Sequence, residues 1–511
     1  MMKLTCFVTT IAMVASLWAQ HPVPHRRFDT VRHREIAPVR SPIRELHADL
    51  DALLKNRDLA SAFIGVCILS TETGEFLYRF NDTKAFVPAS LVKLITTAAA
   101  FELLGPDFRF TTRVYLDGRL RPGGDFEGNI IIRGSGDPSW SEAFGTWPDS
   151  VFAQWCAGLD SLGITTVRGN IIADDSYFDA VRYGPGWMWD DFGMPYSPPI
   201  SALAAHDNCM RLQLQPGTVP GAPVSVRVLR GSSHARINSE LITAPSDALV
   251  DVVPVREYGT GTIELIGSVP LANDTATGAV DIEVPVDNPA AYVGALFREF
   301  LNRRGIRVRG SVLTASEWGE PIPYNRLPVL GGYTSPPLRA LVTVMNHTSH
   351  NLCAEMLLKT IGKESSGSGS FESGIEYIRS MIQRNGLPSD DIQLSDGSGL
   401  SRLNLCTPVF FARLLWYLWR SRWRNDFVAS LARPGDYGTL RTRLVGTLAE
   451  KSVVAKTGTL NNVSNLAGYV TTRDGEVLCV VVMVNHLLAP ESIARNLQDL
   501  ICMRLASFSR R

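Results

Sequence analysis

Three short polar strings do most to limit what this chain can fold into. They are Ser90-Leu91-Val92-Lys93, Ser349-His350-Asn351 and Lys456-Thr457-Gly458. A proline precedes the apolar run 90–104 and Gly105-Pro106 follows it, so the first string is predicted on the first turn of a helix. The second is predicted at a bend that leads into a helix over 352–359, and the third at the end of a strand over 452–457. The fold must therefore hold a helix start, a loop and a strand edge at defined places.

Lysine is rare in this chain, which has only eight lysines against 42 arginines. Two of the eight, Lys93 and Lys456, lie in the polar strings. Arginine cannot release its proton in a protein, whereas a buried lysine can become neutral and act as a base. The two lysines retained in the polar strings therefore indicate proton-transfer chemistry.

Ser90 and Lys93 stand three positions apart, so on a helix they project from the same face. Of the eight lysines only Lys93 has a serine three positions before it. The N–H groups and positive dipole of a helix start favour a developing oxyanion beside the serine. The pair predicts a serine nucleophile with a lysine base. A metal site built from His347, His350 and Glu355 is an alternative for the second string, but their offsets do not share a helical face well.

Composition predicts a globular chain of several cores, because 45% of its 511 residues are hydrophobic and 20% are charged. The formal net charge of zero gives no reason to expect nucleic acid as a partner. Lys3 and the apolar run 4–18 predict a signal peptide over 1–19, with a single-span anchor as the alternative. The Pro-, Arg- and His-containing stretch 20–40 is predicted to be an exposed linker. The seven cysteines after this leader form an odd set without a C-x-x-C spacing, so no zinc framework is expected.

The order of predicted elements indicates one sheet domain interrupted by an insertion. A helix over 43–54 and strands over 63–69 and 75–80 begin a sheet in a first part, 41–107. Strands over 452–457, 465–472 and 476–485 and a helix over 491–505 extend it in a second part, 337–511, which also holds helices over 338–424 and a flexible loop over 364–370. Between these parts, 108–336 changes to short alternating strands with many Gly and Pro, which predicts inserted β-rich modules.

Several further strings accompany the three polar ones. They are Asp396-Gly397-Ser398-Gly399-Leu400-Ser401-Arg402, Gly136-Asp137-Pro138, Tyr196-Ser197-Pro198-Pro199-Ile200-Ser201-Ala202 with Asn208, and Asn465-Leu466-Ala467-Gly468. In this order the chain resembles the penicillin-binding proteins, specifically the low-molecular-mass class C family of D-alanyl-D-alanine carboxypeptidases and endopeptidases, over about residues 40–505. The resemblance implies an α/β (α+β) serine β-lactamase/transpeptidase-like fold. That fold has an antiparallel sheet with flanking helices, a helical subdomain and a large inserted β-rich region.

Carried over to this chain, the resemblance makes Ser90 the nucleophile and Lys93 its general base. Ser349 and Lys456 would form the proton route to the leaving amine, and Asn351 would hold the substrate carbonyl. His350 takes a middle position that is often Asp in the family, which changes the charge balance there.

Substrate-binding residues follow from the same resemblance. Thr457 and Thr459 would hold the terminal carboxylate, and the backbone N–H groups of Ser90 and Thr459 would form the oxyanion hole. Gly458 would let a ligand backbone pair with the strand edge. A subsite for the diamino-acid side chain would use Asp174, Phe178, Arg402 and Asn461.

The resemblance and the predicted signal peptide imply an exported serine-type D-Ala-D-Ala carboxypeptidase in the periplasm or cell-wall space of a bacterium, with DD-endopeptidase activity left open. Peptidoglycan stem peptides would be its substrates and β-lactam antibiotics its covalent inhibitors, with no metal and no cofactor required. The alternatives are a β-lactamase and a catalytically silent wall-binding scaffold. The sequence leaves open which leaving amine is preferred and whether the protein forms a homo-oligomer.

Overall fold

A computed structural model describes residues 41–510 except 233–234, 257–258 and 272–277. The predicted signal peptide, 1–19, and linker, 20–40, lie outside the described residues.

The first part of the chain forms two helices and a β-hairpin. Its elements are α1 (Pro42–Leu54), β1 (Phe63–Ser70), β2 (Phe76–Phe80) and α2 (Val92–Leu103). A 3-10 turn, Ala89–Leu91, leads into α2. The predicted helix start is confirmed, with Ser90 on this tighter first turn.

Among the described residues, the middle of the chain holds most of the strands and three α-helices. They are β3 (Thr111–Leu120), β4 (Asp125–Arg133), α3 (Pro148–Ser161), β5 (Thr166–Val167), β6 (Ile171–Asp174), β7 (Cys209–Gln215), β8 (Ser225–Arg230), β9 (Arg236–Ser239), β10 (Ile242–Ala244), β11 (Asp251–Arg256), β12 (Thr262–Pro270), β13 (Val280–Pro285), α4 (Pro289–Arg303), β14 (Arg307–Val308), β15 (Val312–Thr314), α5 (Ala315–Trp318) and β16 (Val329–Thr334).

The last part is helical and then returns to strands. Its elements are α6 (Leu338–Thr348), α7 (Asn351–Ser366), α8 (Phe371–Arg384), β17 (Ile392–Gln393), β18 (Leu405–Cys406), α9 (Pro408–Arg420), α10 (Arg424–Ala429), β19 (Val453–Leu460), β20 (Val463–Thr471), β21 (Val477–Asn485) and α11 (Glu491–Ala506).

The two ends of the chain build one antiparallel sheet, as predicted. Within the described residues its strand order is β19-β20-β21-β1-β2. Along β21, Val480, Val482 and Val484 enter one hydrophobic core and Cys479, Val481 and Met483 enter another. Because successive side chains of a strand point to opposite faces, this apolar run buries both faces of the sheet. Residues of α1 and α11 join the first core, and residues of α2 and α9 join the second.

Strands β3 to β16 pair only with one another among the described residues. They form a seven-stranded mixed sheet that shares a core with α3 and α4, and two smaller sheets, of three and four strands, that share another core. The predicted boundaries of the insertion, 108 and 336, stay a prediction. Phe178, Trp187 and Ile200 from this region belong to the same core as α2, α7 and α8. The region is therefore packed into the main core through its own apolar side chains.

Two local predictions need correction. Strand β19 continues to Leu460, so Lys456-Thr457-Gly458 lies inside the strand and not at its end. The stretch 364–370 is not a flexible loop, because α7 runs through Ser366 and Ser370 is the buried N-cap of α8. Between them, a Cβ added to Gly369 would lie 2.4 Å from the carbonyl oxygen of Tyr177, so this connection is tightly packed.

All seven cysteines that the structure describes are buried and unpaired: Cys67, Cys156, Cys209, Cys353, Cys406, Cys479 and Cys502. Burial raises the pKa of each of these thiols.

Among the helices of the described residues, none combines the length and apolarity needed to cross a membrane.

Candidate active site

A cleft of about 590 Å³ brings the three polar strings together. Its lining includes Ser90, Ser349, Asn351, Thr457 and Thr459. The predicted helix start, bend and strand thus meet at one place.

The turn that carries Ser90 fits tightly between a strand and a loop. Ala89 has a φ of +49°, a conformation that L-residues rarely adopt. A Cβ added to Gly458 would lie 2.7 Å from the carbonyl oxygen of Pro88 and 3.1 Å from the backbone nitrogen of Ser90. At Gly399, which has a φ of +86°, it would lie 1.8 Å from the carbonyl oxygen of Ala89. Both glycines therefore serve the close approach of the protein's own backbone at the serine.

Lys93 Nζ occupies a fully buried position beside the serine. It donates hydrogen bonds to Ser90 Oγ at 2.9 Å, to Asn351 Oδ1 at 2.7 Å and to the carbonyl oxygen of Ser398 at 2.7 Å. Burial lowers the pKa of Lys93 to about 7, although the charges of Glu355 and Asp396 oppose this shift. A substantial fraction of the lysine is therefore neutral near pH 7 and can accept the proton of Ser90.

Two buried carboxyl groups hold the turn that receives Lys93. Glu355 on α7 accepts hydrogen bonds from the backbone N–H groups of Gly397 at 2.8 Å and Ser398 at 2.7 Å. Asp396 accepts hydrogen bonds from the N–H groups of Gly399 and Ser401, from Asn404 Nδ2 and from Trp187 Nε1. Burial raises the pKa of both acids. The string 396–402 thus shapes a turn that aims the Ser398 carbonyl at the lysine.

The predicted bend at Ser349 is confirmed, since this residue ends α6 with a φ of +62°. His350 is the N-cap of α7, where its Nδ1 accepts a hydrogen bond from the N–H of Cys353. Its Nε2 lies 3.0 Å from Asp207 Oδ1. Burial by itself would raise the pKa of Asp207, but the neighbouring His350 opposes this effect and the pKa is lowered. Asp207 thus puts a carboxylate beside the position that is often Asp in the family.

Asn351 bridges the base and the inserted region. Its Oδ1 accepts from Lys93 Nζ, and its Nδ2 donates to the carbonyl oxygen of Tyr196 at 2.8 Å. Both polar atoms of the amide are therefore held by hydrogen-bond partners within the protein.

Lys456 is fully buried within β19 and donates to the carbonyl oxygen of Thr457 at 2.8 Å. Burial, and then the charge of Lys93, lower the pKa of Lys456. A carboxylate that arrives beside Lys456 would favour the charged form of the amine. The proton route through Ser349 and Lys456 and the oxyanion hole stay predictions.

Two of the four residues of the predicted side-chain subsite line the cleft. Arg402 Nη2 donates to the carbonyl oxygen of Asn461 at 2.7 Å, and both residues line the cleft. Among the described residues, the lining includes neither Asp174 nor Phe178, and the subsite role of these two residues stays a prediction. Asp174, at the end of β6, is buried and accepts hydrogen bonds from the hydroxyl of Tyr324 and the N–H of Ser176.

Phe178 is placed instead in the core beneath α7. A Cβ at Gly136 would lie 2.6 Å from its ring, and Lys359 Nζ lies 5.7 Å from the ring centroid.

Two cleft residues from the inserted region, Met188 and Asp191, were missed by sequence reasoning, and Tyr196 was recognised only as part of a family string. The hydroxyl of Tyr196 donates to Asp191 Oδ1 at 2.7 Å. The signal was the run of aromatic and acidic residues over 187–192, shortly before the recognised Tyr196 string. Asp191 therefore adds an acidic side chain to the cleft that Arg402 also lines.

Comparison with known proteins decides the family. The model of the D-Ala-D-Ala carboxypeptidase 3 (S13) family matches residues 46–507. The chain belongs to this family. It is 34% identical over 475 residues to the D-alanyl-D-alanine carboxypeptidase of Actinomadura sp. (strain R39), covering 91% of this chain and 85% of that protein. It is 26% identical over 425 residues to the D-alanyl-D-alanine carboxypeptidase DacB of Haemophilus influenzae, covering 83% and 85%.

Solved structures agree with this family assignment. The crystal structure of penicillin binding protein 4 (dacB) from Haemophilus influenzae has a TM-score of 0.76 at 25% identity, covering 89% of this chain and 99% of that one. A structure of the same protein complexed with a β-lactam has a TM-score of 0.71 at 24% identity, covering 88% and 98%. The resemblance and the fold class predicted from the sequence are confirmed, and the chain is a D-Ala-D-Ala carboxypeptidase of the S13 family.

In this S13 carboxypeptidase the arrangement suits acyl transfer. A serine hydroxyl stands at a helix start and a buried lysine of lowered pKa lies within hydrogen-bond distance of it. Two threonines on the facing strand, Thr457 and Thr459, line the same cleft.

Proposed function

We propose that this S13 family member is an exported serine-type D-Ala-D-Ala carboxypeptidase that hydrolyses peptidoglycan stem peptides through an acyl-enzyme on Ser90. The observation that carries the proposal is the 2.9 Å hydrogen bond from the buried Lys93 Nζ to Ser90 Oγ. A nucleophile and a base at this distance, with the pKa of the base near 7, are what serine acylation needs.

Acylation begins when Lys93 takes the proton of Ser90 and the oxygen attacks the carbonyl carbon of the penultimate D-alanine. The C–N bond breaks, and the leaving amine receives a proton through Ser349 and Lys456. Asn351 Nδ2 holds the peptide carbonyl once it exchanges the Tyr196 carbonyl for substrate. Water then hydrolyses the ester and releases the shortened stem peptide.

Thr457 and Thr459 hold the terminal carboxylate in this proposal, and its negative charge favours the protonated form of Lys456. Arg402 and Asp191 lie on the same cleft and carry opposite charges. Together they suit a third residue whose side chain ends in an ammonium and a carboxylate.

Penicillin labelling tests the nucleophile. The purified protein should form a covalent adduct, mapped to Ser90 by mass spectrometry of proteolytic peptides, and Ser90→Ala should form none. An adduct at another residue would overturn the assignment. Fast turnover of the adduct would indicate a β-lactamase, and no adduct a silent scaffold.

Defined muropeptides test the reaction. Release of D-alanine from an uncross-linked pentapeptide supports the carboxypeptidase, and conversion of a cross-linked dimer to monomers supports DD-endopeptidase activity as well. Export to the periplasm or cell-wall space is tested by N-terminal sequencing of secreted protein, with cleavage expected near residue 19.

A further inference from the structure

Thr459 does not present a free hydroxyl to the cleft. Its Oγ1 donates a hydrogen bond to Glu491 Oε1 at 3.0 Å. Both residues line the cleft, and Glu491 is the first residue of α11. A carboxylate of the protein thus engages one of the two threonines assigned to the carboxylate of the substrate.

Arg495 holds this glutamate in place from the next turn of α11. Its Nε donates to Glu491 Oε1 at 2.9 Å and its Nη2 donates to Oε2 at 2.7 Å. A two-point contact of this kind fixes both the position and the plane of a carboxylate. Glu491 Oε1 therefore accepts from Thr459 and Arg495 together.

A substrate carboxylate at Thr459 conflicts with this arrangement. The hydroxyl of Thr459 has one proton to donate, and two carboxylates that approach it together repel each other. Glu491 must turn away, or the substrate binds with the repulsion uncompensated. The guanidinium of Arg495, which donates hydrogen bonds to both carboxylate oxygens of Glu491, offsets part of the negative charge.

We propose that Glu491 is a specificity-determining residue that competes with the terminal carboxylate for Thr459 and that Arg495 moderates this competition. The inference rests on the proposed function, because it assigns Thr459 to the substrate carboxylate. It distinguishes chemical classes of leaving group: those that end in a free carboxylate are disfavoured relative to those that are neutral at the same position.

A purely structural role for Glu491 makes a different prediction. An acidic residue on the first turn of a helix interacts favourably with the helix dipole, and Glu491 with Arg495 is also an i,i+4 ion pair. In that role, loss of the charge lowers the melting temperature slightly and leaves the selectivity for the leaving group unchanged.

The test compares two peptides with Glu491→Gln. One is diacetyl-L-Lys-D-Ala-D-Ala, and the other is the same peptide with a C-terminal amide. Glutamine keeps an acceptor for Thr459 but removes the charge. We expect kcat/KM for the acid to rise about five- to tenfold, mainly through KM, and kcat/KM for the amide to change less than about twofold.

Two further variants complete the test. Arg495→Gln leaves the charge of Glu491 unmoderated and should lower kcat/KM for the acid, so the two members of one ion pair shift activity in opposite directions. Glu127→Gln removes a carboxylate from another exposed ion pair, with Arg121 on β3–β4, and should change neither substrate. Arg495→Gln keeps the inference testable if Glu491→Gln does not fold.

The outcomes separate the two proposals. A wild-type protein that neither releases D-alanine nor reacts with penicillin at Ser90 overturns the proposed function. An active wild type overturns the inference alone if Glu491→Gln leaves the ratio of acid to amide kcat/KM unchanged, or if both ion-pair variants shift that ratio in the same direction.

Discussion

Lys93 Nζ lies 2.7 Å from the carbonyl oxygen of Ser398, a residue 305 positions further along the chain. The same amine contacts Ser90 and Asn351, so all three of its partners are fixed oxygen atoms of the protein. Ser398 is itself held by Glu355 through its backbone N–H. The position of the base therefore depends on a turn that is distant in sequence and tied to α7.

The pH dependence of acylation should report the titration of Lys93. The pKa of Lys93 is lowered to about 7, and the protonated amine cannot accept the proton of Ser90. The second-order rate constant for acylation by penicillin should therefore rise about tenfold per pH unit below about pH 7 and level off above it. Stopped-flow measurements between about pH 5 and 9 check this. A rate that is independent of pH or falls over that range contradicts the assignment of Lys93 as base.

Lys93→Arg should lower the acylation rate by about 10²-fold or more. Arginine keeps a positive charge but cannot give up its proton, and its larger head group must fit a fully buried site. Single-turnover kinetics on protein shown to be folded by circular dichroism measure the effect. Lys451→Arg is the matched control, because this exposed lysine lies outside the cleft, and its acylation rate should be that of the wild type. Near wild-type acylation by Lys93→Arg would place the base elsewhere.

Gly399→Ala should impair both folding and acylation. The added methyl group would lie 1.8 Å from the carbonyl oxygen of Ala89, next to the nucleophile, which predicts a loss of more than about 2 kcal/mol in the free energy of unfolding. Gly105→Ala is the control, since Gly105 has a similar φ of +79° but nothing lies within 4 Å of its added Cβ.

The control should lose only about 1 kcal/mol, the cost of a positive φ for alanine, and keep its acylation rate. Urea denaturation and penicillin acylation measure the two effects. Equal losses in both variants would show that the close contact at Ala89 is unimportant.

Joining residues 107 and 337 with a short Gly/Ser linker should abolish acylation. The deleted region supplies Trp187, whose Nε1 donates to the buried Asp396, and Tyr196, whose carbonyl accepts from Asn351. It also supplies Phe178 and Ile200 to the main core. Size-exclusion chromatography and penicillin labelling test this, and a monomeric deletion protein that is acylated at the normal rate would contradict it.

Local pattern was enough to predict the sheet and the helix start. The apolar run of β21 and the apolar run after Ser90 are read from neighbouring residues, and the structure confirms the strand and the helix. The end of β19 was misplaced because Gly458 reads as a turn signal, whereas here it admits the Ser90 turn. Asp174 and Phe178 were assigned by resemblance alone, and their burial depends on partners such as Tyr324 and Gly136 that no local pattern reveals.

The surroundings of Lys456 could likewise not be predicted from the local sequence. Its place in the third string was clear, but its complete burial in β19 and the nearness of Lys93 arise from packing between segments far apart in sequence. The competing carboxylate of Glu491 likewise reaches Thr459 from another element.

The seven buried cysteines bear on how the protein can be made and handled. With thiols that are shielded and hard to ionise, the part of the chain that the structure describes has no cross-link to form, break or exchange. In an oxidising compartment its maturation would then require no thiol oxidase or disulfide isomerase. Reducing agents in a purification buffer would likewise leave its acylation by penicillin unaltered.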